Sequence, residues 1–380
     1  MNNRNRMING VLTDFTVLDI SRLLPGALCA GMLADHGARV ICVEDRLFEK
    51  RSFLPVAQLS RNKAHMSLSL RSEKGRAVFL EMVKTADVVI CGFRPATARR
   101  LNLEYETLKT VHPGLIHCSI TGYGLSGSFC DQPGHDINFM AQSGVLDLMQ
   151  RDDFRIPGIA MAAQTGALNA FSGILLALLC REKTGMGQQV EIALTDSLAA
   201  LLPLSDGWPD ALGPAPLTAK GIATPAFACY YIYRAADGRH LALAAIERAF
   251  WEKVCHYFKV PEYIDLQFDS KSRQELIDFL ASRFGEKPSA HWLEVFESLH
   301  VCLSRVSSPA EVLSGEYFKE RDLAGEINGR LVLRSAIRLS ETPAGLRTHS
   351  PEFGKDTHEI LSALGYGPEQ IRQLEQEKVI

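Results

Sequence analysis

The stretch Val17-Leu18-Asp19-Ile20-Ser21-Arg22-Leu23-Leu24-Pro25-Gly26, continued through Ala27–Asp35 to Val40-Ile41-Cys42-Val43-Glu44, decides the fold. Thr16 to Ile20 is a short apolar strand. Pro25 has a preset φ and no N–H to lose, so it suits the first turn of a helix. Ala27 to Asp35 supplies that helix from small residues, ending near Gly37, and Val40 to Glu44 is the next strand. Strand, helix and strand within about thirty residues form a βαβ unit and therefore a parallel sheet. Glu44 stands where a dinucleotide-binding fold carries an acid. However, the turn Ser21–Gly26 lacks GxGxxG, which brings backbone close to a pyrophosphate, so a nicotinamide dehydrogenase is excluded.

Beyond this unit, Leu59-Ser60-Arg61-Asn62-Lys63 is a basic turn before the strand Met66–Leu70. Ser72 caps a helix with Val78/Met82 and Phe79/Val83 at i,i+4. Asp87 to Phe93 is a strand running into Arg94-Pro95, with Arg99-Arg100 on a short helix. Leu115 to Ile120 is another strand, leading to Thr121-Gly122-Tyr123-Gly124. Arg61, Lys63, Arg94, Arg99 and Arg100 thus gather at strand ends. Open α/β sheets bind ligands at their carboxyl edges, and guanidinium forks suit phosphate. The plain alternative is a solvated basic rim.

Pro133-Gly134-His135-Asp136-Ile137-Asn138-Phe139 is a glycine turn entering a helix. Asp136 or Asn138 can satisfy N–H groups at the helix start. Ile137, Met140, Ala141, Val145 and Leu148 predict one amphipathic helix. His135 at its mouth is either a cap or a tunable proton carrier. The apolar run Ile159–Cys180 contains Gln164, Thr165, Asn169 and Ser172 and reads as a core helix rather than a membrane span. Val190–Leu194 is a further strand, and Asp196 begins a helix to about Leu204.

Four parts follow: a large domain over 1–202, a Pro/Gly/Ala-rich linker over 203–228, a small domain over 229–328, and a linker and return to the large domain over 329–380. The small domain opens with a hairpin, Tyr230–Tyr233 and His240–Ile246, followed by Glu247 and helices near 250–258, 273–284 and 289–300. Phe250, Trp251 and Phe258 read as its core, Cys302 as a buried thiol, and His256 and His291 as surface. Asp356 is expected to cap a final helix.

Composition narrows the class. With 46% hydrophobic and 22% charged residues the chain is an ordinary globular protein, and a net charge of -3 argues against general nucleic-acid or anionic-membrane binding. Nine scattered cysteines, with no CxxC pair and no metal-ligand spacing, predict reduced thiols in cytoplasm and no metal centre. The first residues lack the apolar run of a signal peptide.

The ordered set VLDISRLLPGALCAGMLADHGARVICVE, LSRNK, ADVVICGFRPATARRLNL, LIHCSITGYG, GHDINF, GILLALLCREKTGMGQ, YRAADGRHLALAAIE and SPEFGKDTHEILSALGY resembles the class III CoA-transferase family (CaiB/BaiF type). GHDIN is most similar to its α-methylacyl-CoA racemase branch. The resemblance implies an α/β fold: a Rossmann-like large domain built from both chain ends, a small α+β domain, and two subunits interlocked as rings. It implies an acyl-CoA thioester as substrate, so that coenzyme A enters with the substrate and no redox or metal cofactor is needed. It places Arg61, Asn62, Lys63, Gly92, Phe93, Arg94 and Arg100 near CoA. It makes His135 one catalytic base, supported by Glu247; on chemical grounds Glu247 or Asp136 would fix the imidazole tautomer.

One departure stands out. The resemblance implies an Asp about ten residues before the glycine of GILxAL, here Gly173, and Ala163 falls there with Ala162 beside it. Residues 154 to 195 contain no Asp, and Asp152 and Asp153 lie before Pro157. Three readings follow. The first is His135-dependent α-proton chemistry with an altered outcome (isomerisation, elimination or decarboxylation). The second is a CoA-transferase with a relocated nucleophile such as Asp136 or Glu247. The third is a silent CoA-binding subunit or sensor paired with an active homologue.

Overall fold

The computed structural model describes residues 10–46, 56–149, 155–202, 227–327, 329–347 and 352–380. The linker as far as residue 226, and Asp152 and Asp153, lie outside the described residues. The chain divides into two compact units, Met1–Leu202 with Lys319–Ile380, and Pro203–Phe318.

The first unit is built on six strands: β1 (Thr16–Asp19), β2 (Arg39–Glu44), β3 (Lys63–Ser67), β4 (Val88–Cys91), β5 (Ile116–Thr121) and β6 (Gln189–Ala193). They pair in the order β3-β2-β1-β4-β5-β6, every pair parallel. β4 and β5 are buried at every residue, as strands covered on both faces must be. The order reverses between β1 and β4, which opens a crevice at their carboxyl ends.

Each face of the sheet has its own core. One holds Cys29 and Leu33 from the helix Leu24–Asp35 against Ala170 and Ile174 from the helix Met161–Thr184. The other packs Phe79 and Met82 of the helix Glu73–Val83 with Ile360, Leu361, Ile371 and Leu374 from the chain's far end. That end is also stitched to β3, because Ser67 N–H donates to Thr357 Oγ1 at 3.0 Å and Ser69 N–H to the Val379 carbonyl at 2.7 Å.

Several local expectations hold, and others change. Pro25 sits in the first turn of its helix, and Ser72 Oγ accepts from Gly75 N–H. Asp356 stands before the helix Thr357–Ala363, but its carboxylate accepts from His65 N–H at 2.7 Å instead of capping. The single helix expected after His135 is two, Asp136–Gln142 and Val145–Met149, because Gly144 adopts φ +80° between them. The helix at Asp196 spans only Leu194–Ala199 and stops ahead of Pro203. The hairpin β10 (Ala324–Ile327) and β11 (Arg330–Leu333) belongs to the first unit, although residues to 328 read as small domain. Leu333 N–H is held there by Gln58 Oε1 at 2.8 Å.

In Met161–Thr184, Ala162, Ala163, Gly166 and Ala167 are buried while Leu168, Leu176 and Leu179 are exposed. It is the one helix among the described residues long and apolar enough to cross a membrane.

The second unit has an antiparallel sheet of β7 (Tyr230–Arg234), β8 (His240–Ala244) and β9 (Leu303–Arg305), covered by the helices Arg248–Phe258, Arg273–Phe284 and Ser289–Ser298. Trp251, Phe284 and Phe296 fill its core, with Phe250 and Phe258 packed around them. Cys302 is exposed rather than buried, since it stands beside the edge strand β9. His256 is exposed and His291 half-buried.

Candidate active site

A cavity of about 480 Å³ opens where β1, β4 and β5 end. From the turn after β1 come Ser21, Arg22, Pro25 and Gly26. Gly92, Phe93, Arg94, Thr97 and Arg100 follow β4, Thr121 and Gly122 close β5, and Gly134, His135 and Phe139 complete the wall. This is the crevice that the strand order defines. Four arginines line it, Arg22, Arg71, Arg94 and Arg100, and among the described residues no carboxylate does. A polyanion is the ligand class such a wall attracts.

Close backbone packing shapes the cavity. A Cβ on Gly92 would lie 2.5 Å from the Ser21 carbonyl oxygen, so only glycine lets the ends of β1 and β4 approach. Cβ atoms on Gly122 or Gly134 would strike the Phe139 ring at 2.4 and 2.5 Å. Phe139 is thus clamped between the turn after β5 and the Gly134 turn, with Tyr123 edge-on at 5.2 Å. Gly122 of TGYG and Gly134 of PGHDINF are both required by one aromatic ring.

Arg22 adopts φ +62°, an unusual angle for a residue with a side chain, at the turn facing the crevice. Its guanidinium lies 3.7 Å from Asp45 and 4.8 Å from the Phe93 ring centre. Burial holds its pKa below the usual arginine value, opposed by Asp45 and reinforced by the like charge of Arg71. Arg94 donates to the Asp131 carbonyl at 2.9 Å. Arg99 turns to the Asp131 carboxylate instead and is not among the lining residues.

His135 occupies the N-cap position of the helix Asp136–Gln142 and is exposed in the cavity wall. Its backbone N–H donates to Asn138 Oδ1 at 3.0 Å, so Asn138 supplies the expected helix-start contact. Asp136 has a different duty. Its Oδ1 accepts from the Ala163 N–H at 2.9 Å, tying the His135 segment to the first turn of Met161–Thr184. Asp136 does not line the cavity, and Ala163 is buried. Glu247, the third expected catalytic residue, is exposed in the second unit, before the helix Arg248–Phe258.

The residues expected to touch CoA divide into two groups. Gly92, Phe93, Arg94 and Arg100 line the cavity together with His135. Arg61, Asn62 and Lys63 do not, and their side chains already have partners. Arg61 Nε and Nη2 donate to Asp35 Oδ1 and Oδ2 at 3.1 and 2.6 Å. Asn62 Nδ2 donates to Asp35 Oδ1 at 2.9 Å and to the Gly345 carbonyl at 2.7 Å. Lys63 Nζ donates to the Ala27 carbonyl at 2.8 Å and lies 3.5 Å from Asp19 Oδ2. Arg22, Arg71 and Ser21 are site residues that sequence reasoning misses. The available signal is position, since each closely follows a strand of the parallel sheet.

The comparisons agree with this fold. Residues 12–357 match the model of CoA-transferase family III, and the chain belongs to that family. Its members include acyl-CoA racemases and CoA-transferases. The chain is 31% identical to human α-methylacyl-CoA racemase, over 97% of each chain. It is 29% identical to the succinyl-CoA:mesaconate CoA-transferase of Haloarcula marismortui, over 94% of this chain and 97% of that one. A CaiB/BaiF family protein from Brucella suis superposes with a TM-score of 0.82 at 26% identity, over 94% of this chain and all of that one.

Proposed function

We propose that the protein binds an acyl-CoA in the β1/β4 cavity and uses His135 to move a proton at the carbon next to the thioester. The observation that carries this reading is that His135 and four arginines line one cavity, with no carboxylate among its described lining residues. Arg22, Arg71, Arg94 and Arg100 supply the positive field for the phosphates of CoA, and guanidinium forks match phosphate geometry. The thioester carbonyl acidifies the α-carbon by delocalising the carbanion as an enolate. Imidazole is suited to take that proton near neutral pH. Asp136 helps by holding the His135 segment through Ala163 rather than by meeting substrate. With alanine at position 163, the second acid of a two-base racemase is missing there. Single-base exchange, isomerisation, elimination or decarboxylation is then the expected outcome.

The test is α-hydrogen exchange of a 2-methylacyl-CoA in deuterium oxide. We expect deuterium at the α-carbon with the wild-type protein and a loss of about 10²-fold or more in His135→Ala. No exchange with any acyl-CoA that binds would end this reading. Kinship with the Haloarcula transferase supports acyl transfer as the second reading, through Asp136 or Glu247. Hydroxylamine trapping of an acyl-enzyme during turnover would establish it. We further propose a homodimer that buries the exposed Leu168, Leu176 and Leu179, and sedimentation at the mass of a monomer would refute it.

A further inference from the structure

Lys63 lies in β3 and Asp19 ends β1, with β2 between them. Adjacent strands are about 4.8 Å apart, so the lysine stem spans an intervening strand to bring its ammonium to a carboxylate. The Lys63 side chain is 1% exposed and Asp19 5%, so the charge does not reach solvent. Both Asp19 carboxylate oxygens accept from donors. Its Oδ2 faces Lys63 Nζ at 3.5 Å and the Cys42 thiol at 3.7 Å. Its Oδ1 accepts both the Ser21 N–H at 3.0 Å and the Ser21 hydroxyl at 2.6 Å. Ser21 forms part of the cavity wall, beneath Gly26 and Gly92, where a Cβ on either glycine would overlap it.

We propose that Lys63 is a positioning residue: it pairs with the buried Asp19, Asp19 holds the Ser21 backbone and hydroxyl, and Ser21 so fixed forms part of the cavity wall. This deepens the CoA reading above and rests on it. It also reverses the role that a basic residue in a CoA-binding motif suggests. An ammonium touching phosphate acts on the ligand, whereas this one acts through two protein groups. Because Ser21 gives its proton to Asp19, its oxygen can only accept. The wall therefore favours a ligand N–H or O–H at this point, such as an amide donor, while the arginines take the anionic end.

Removing the ammonium strands the Asp19 charge in a dry site, whereas removing both charges does not. Calorimetric titration with free CoA, at two salt concentrations, compares the wild type, Lys63→Met, and Lys63→Met with Asp19→Asn. We expect about tenfold weaker binding for Lys63→Met. In the double variant, the amide oxygen introduced at position 19 still accepts from Ser21, and most of the affinity returns. The salt dependence stays that of the wild type in both, because a buried charge is little screened. A direct phosphate contact predicts the opposite: no recovery in the double variant and a weaker salt dependence. Either result, or wild-type affinity in Lys63→Met, overturns the proposal.

A second readout does not depend on the ligand. In urea unfolding, a double-mutant cycle between Lys63→Met and Ser21→Ala is expected to show coupling, and additivity would overturn the relay. If the wild-type protein fails to bind CoA, the cavity reading falls while this cycle still decides the relay.

Discussion

Two basic corners of the same sheet carry the same residue types and have opposite fates. Gly92, Phe93, Arg94, Thr97 and Arg100 line the cavity, and Arg100 has no carboxylate partner among the described residues. The corner Arg61–Asn62–Lys63 is buried, and both of its cations face buried aspartates, Asp35 and Asp19. The difference lies in what the rest of the chain places opposite each cation. The helix Leu24–Asp35 ends on Asp35 and β1 ends on Asp19, so the second corner is neutralised from within. The corner after β4 gives Arg99 to the Asp131 carboxylate, outside the cavity, and leaves Arg94 and Arg100 on the cavity wall with His135.

Breaking the closed corner tests that contrast most severely. Arg61 and Asp35 form a two-pronged pair with 7% and 2% side-chain exposure. Asn62 also bonds Asp35, and Arg347 N–H donates to Asn62 Oδ1 at 2.6 Å, so the returning chain is tied to this knot. Arg61→Met leaves Asp35 buried without its counter-charge and is expected to cost about 3–5 kcal/mol of stability in urea unfolding. Arg61→Met with Asp35→Leu is expected to regain most of that. A loss below about 1 kcal/mol for the single variant would show that Arg61 is available to ligand after all.

The same rule separates two histidines and gives the next largest effect. His117 is buried, and its ring nitrogens bond the Leu103 carbonyl at 2.9 Å and Ser119 Oγ at 3.1 Å. Burial pushes its pKa down from 6.5 to about 4. The unfolded chain therefore binds one more proton between those values, and stability falls as the medium is acidified through that window. The contribution is complete above pH 6.5, drains as the pH falls to 4, and amounts to about 3 kcal/mol. The difference in unfolding free energy between wild type and His117→Gln should slope by up to about 1.4 kcal/mol per pH unit there. A flat difference would mean that His117 is protonated in the folded state. His135, by contrast, is exposed in the cavity wall.

How much of this was legible depends on the range of the interaction. The βαβ start, the Pro25 helix and the Ser72 cap are written within a few residues, and the parallel sheet follows from them. The Gly144 break was local too, but the apolar spacing from Ile137 to Leu148 runs straight across it. Only the left-handed backbone at Gly144 shows that the spacing serves two short helices. β9 has three residues and pairs with β8 some sixty positions away, too little pattern to read alone. The cavity arginines after β4 were legible because strand ends bind ligands. That Arg61 and Lys63 face aspartates was not, since Asp35 and Asp19 lie 26 and 44 residues away and become neighbours only in the folded chain.

Arg100 supplies the smallest effect and the one specific to the open corner. It sits in the last turn of the helix Pro95–Leu101, exposed and lining the cavity, so its removal leaves no buried charge behind. Arg100→Ala should leave unfolding free energy within about 0.5 kcal/mol of the wild type, as surface substitutions do. Binding of CoA should weaken by about 1.5–3 kcal/mol, the scale of one hydrogen bond to a charged group. The loss should shrink as salt rises, because an exposed guanidinium and a phosphate are screened. Arg61→Met has the reverse signature, with large instability and little salt dependence. If Arg100→Ala instead lowered stability and left CoA binding intact, the two corners would exchange roles, and the phosphates would have to be sought at the Asp35 knot.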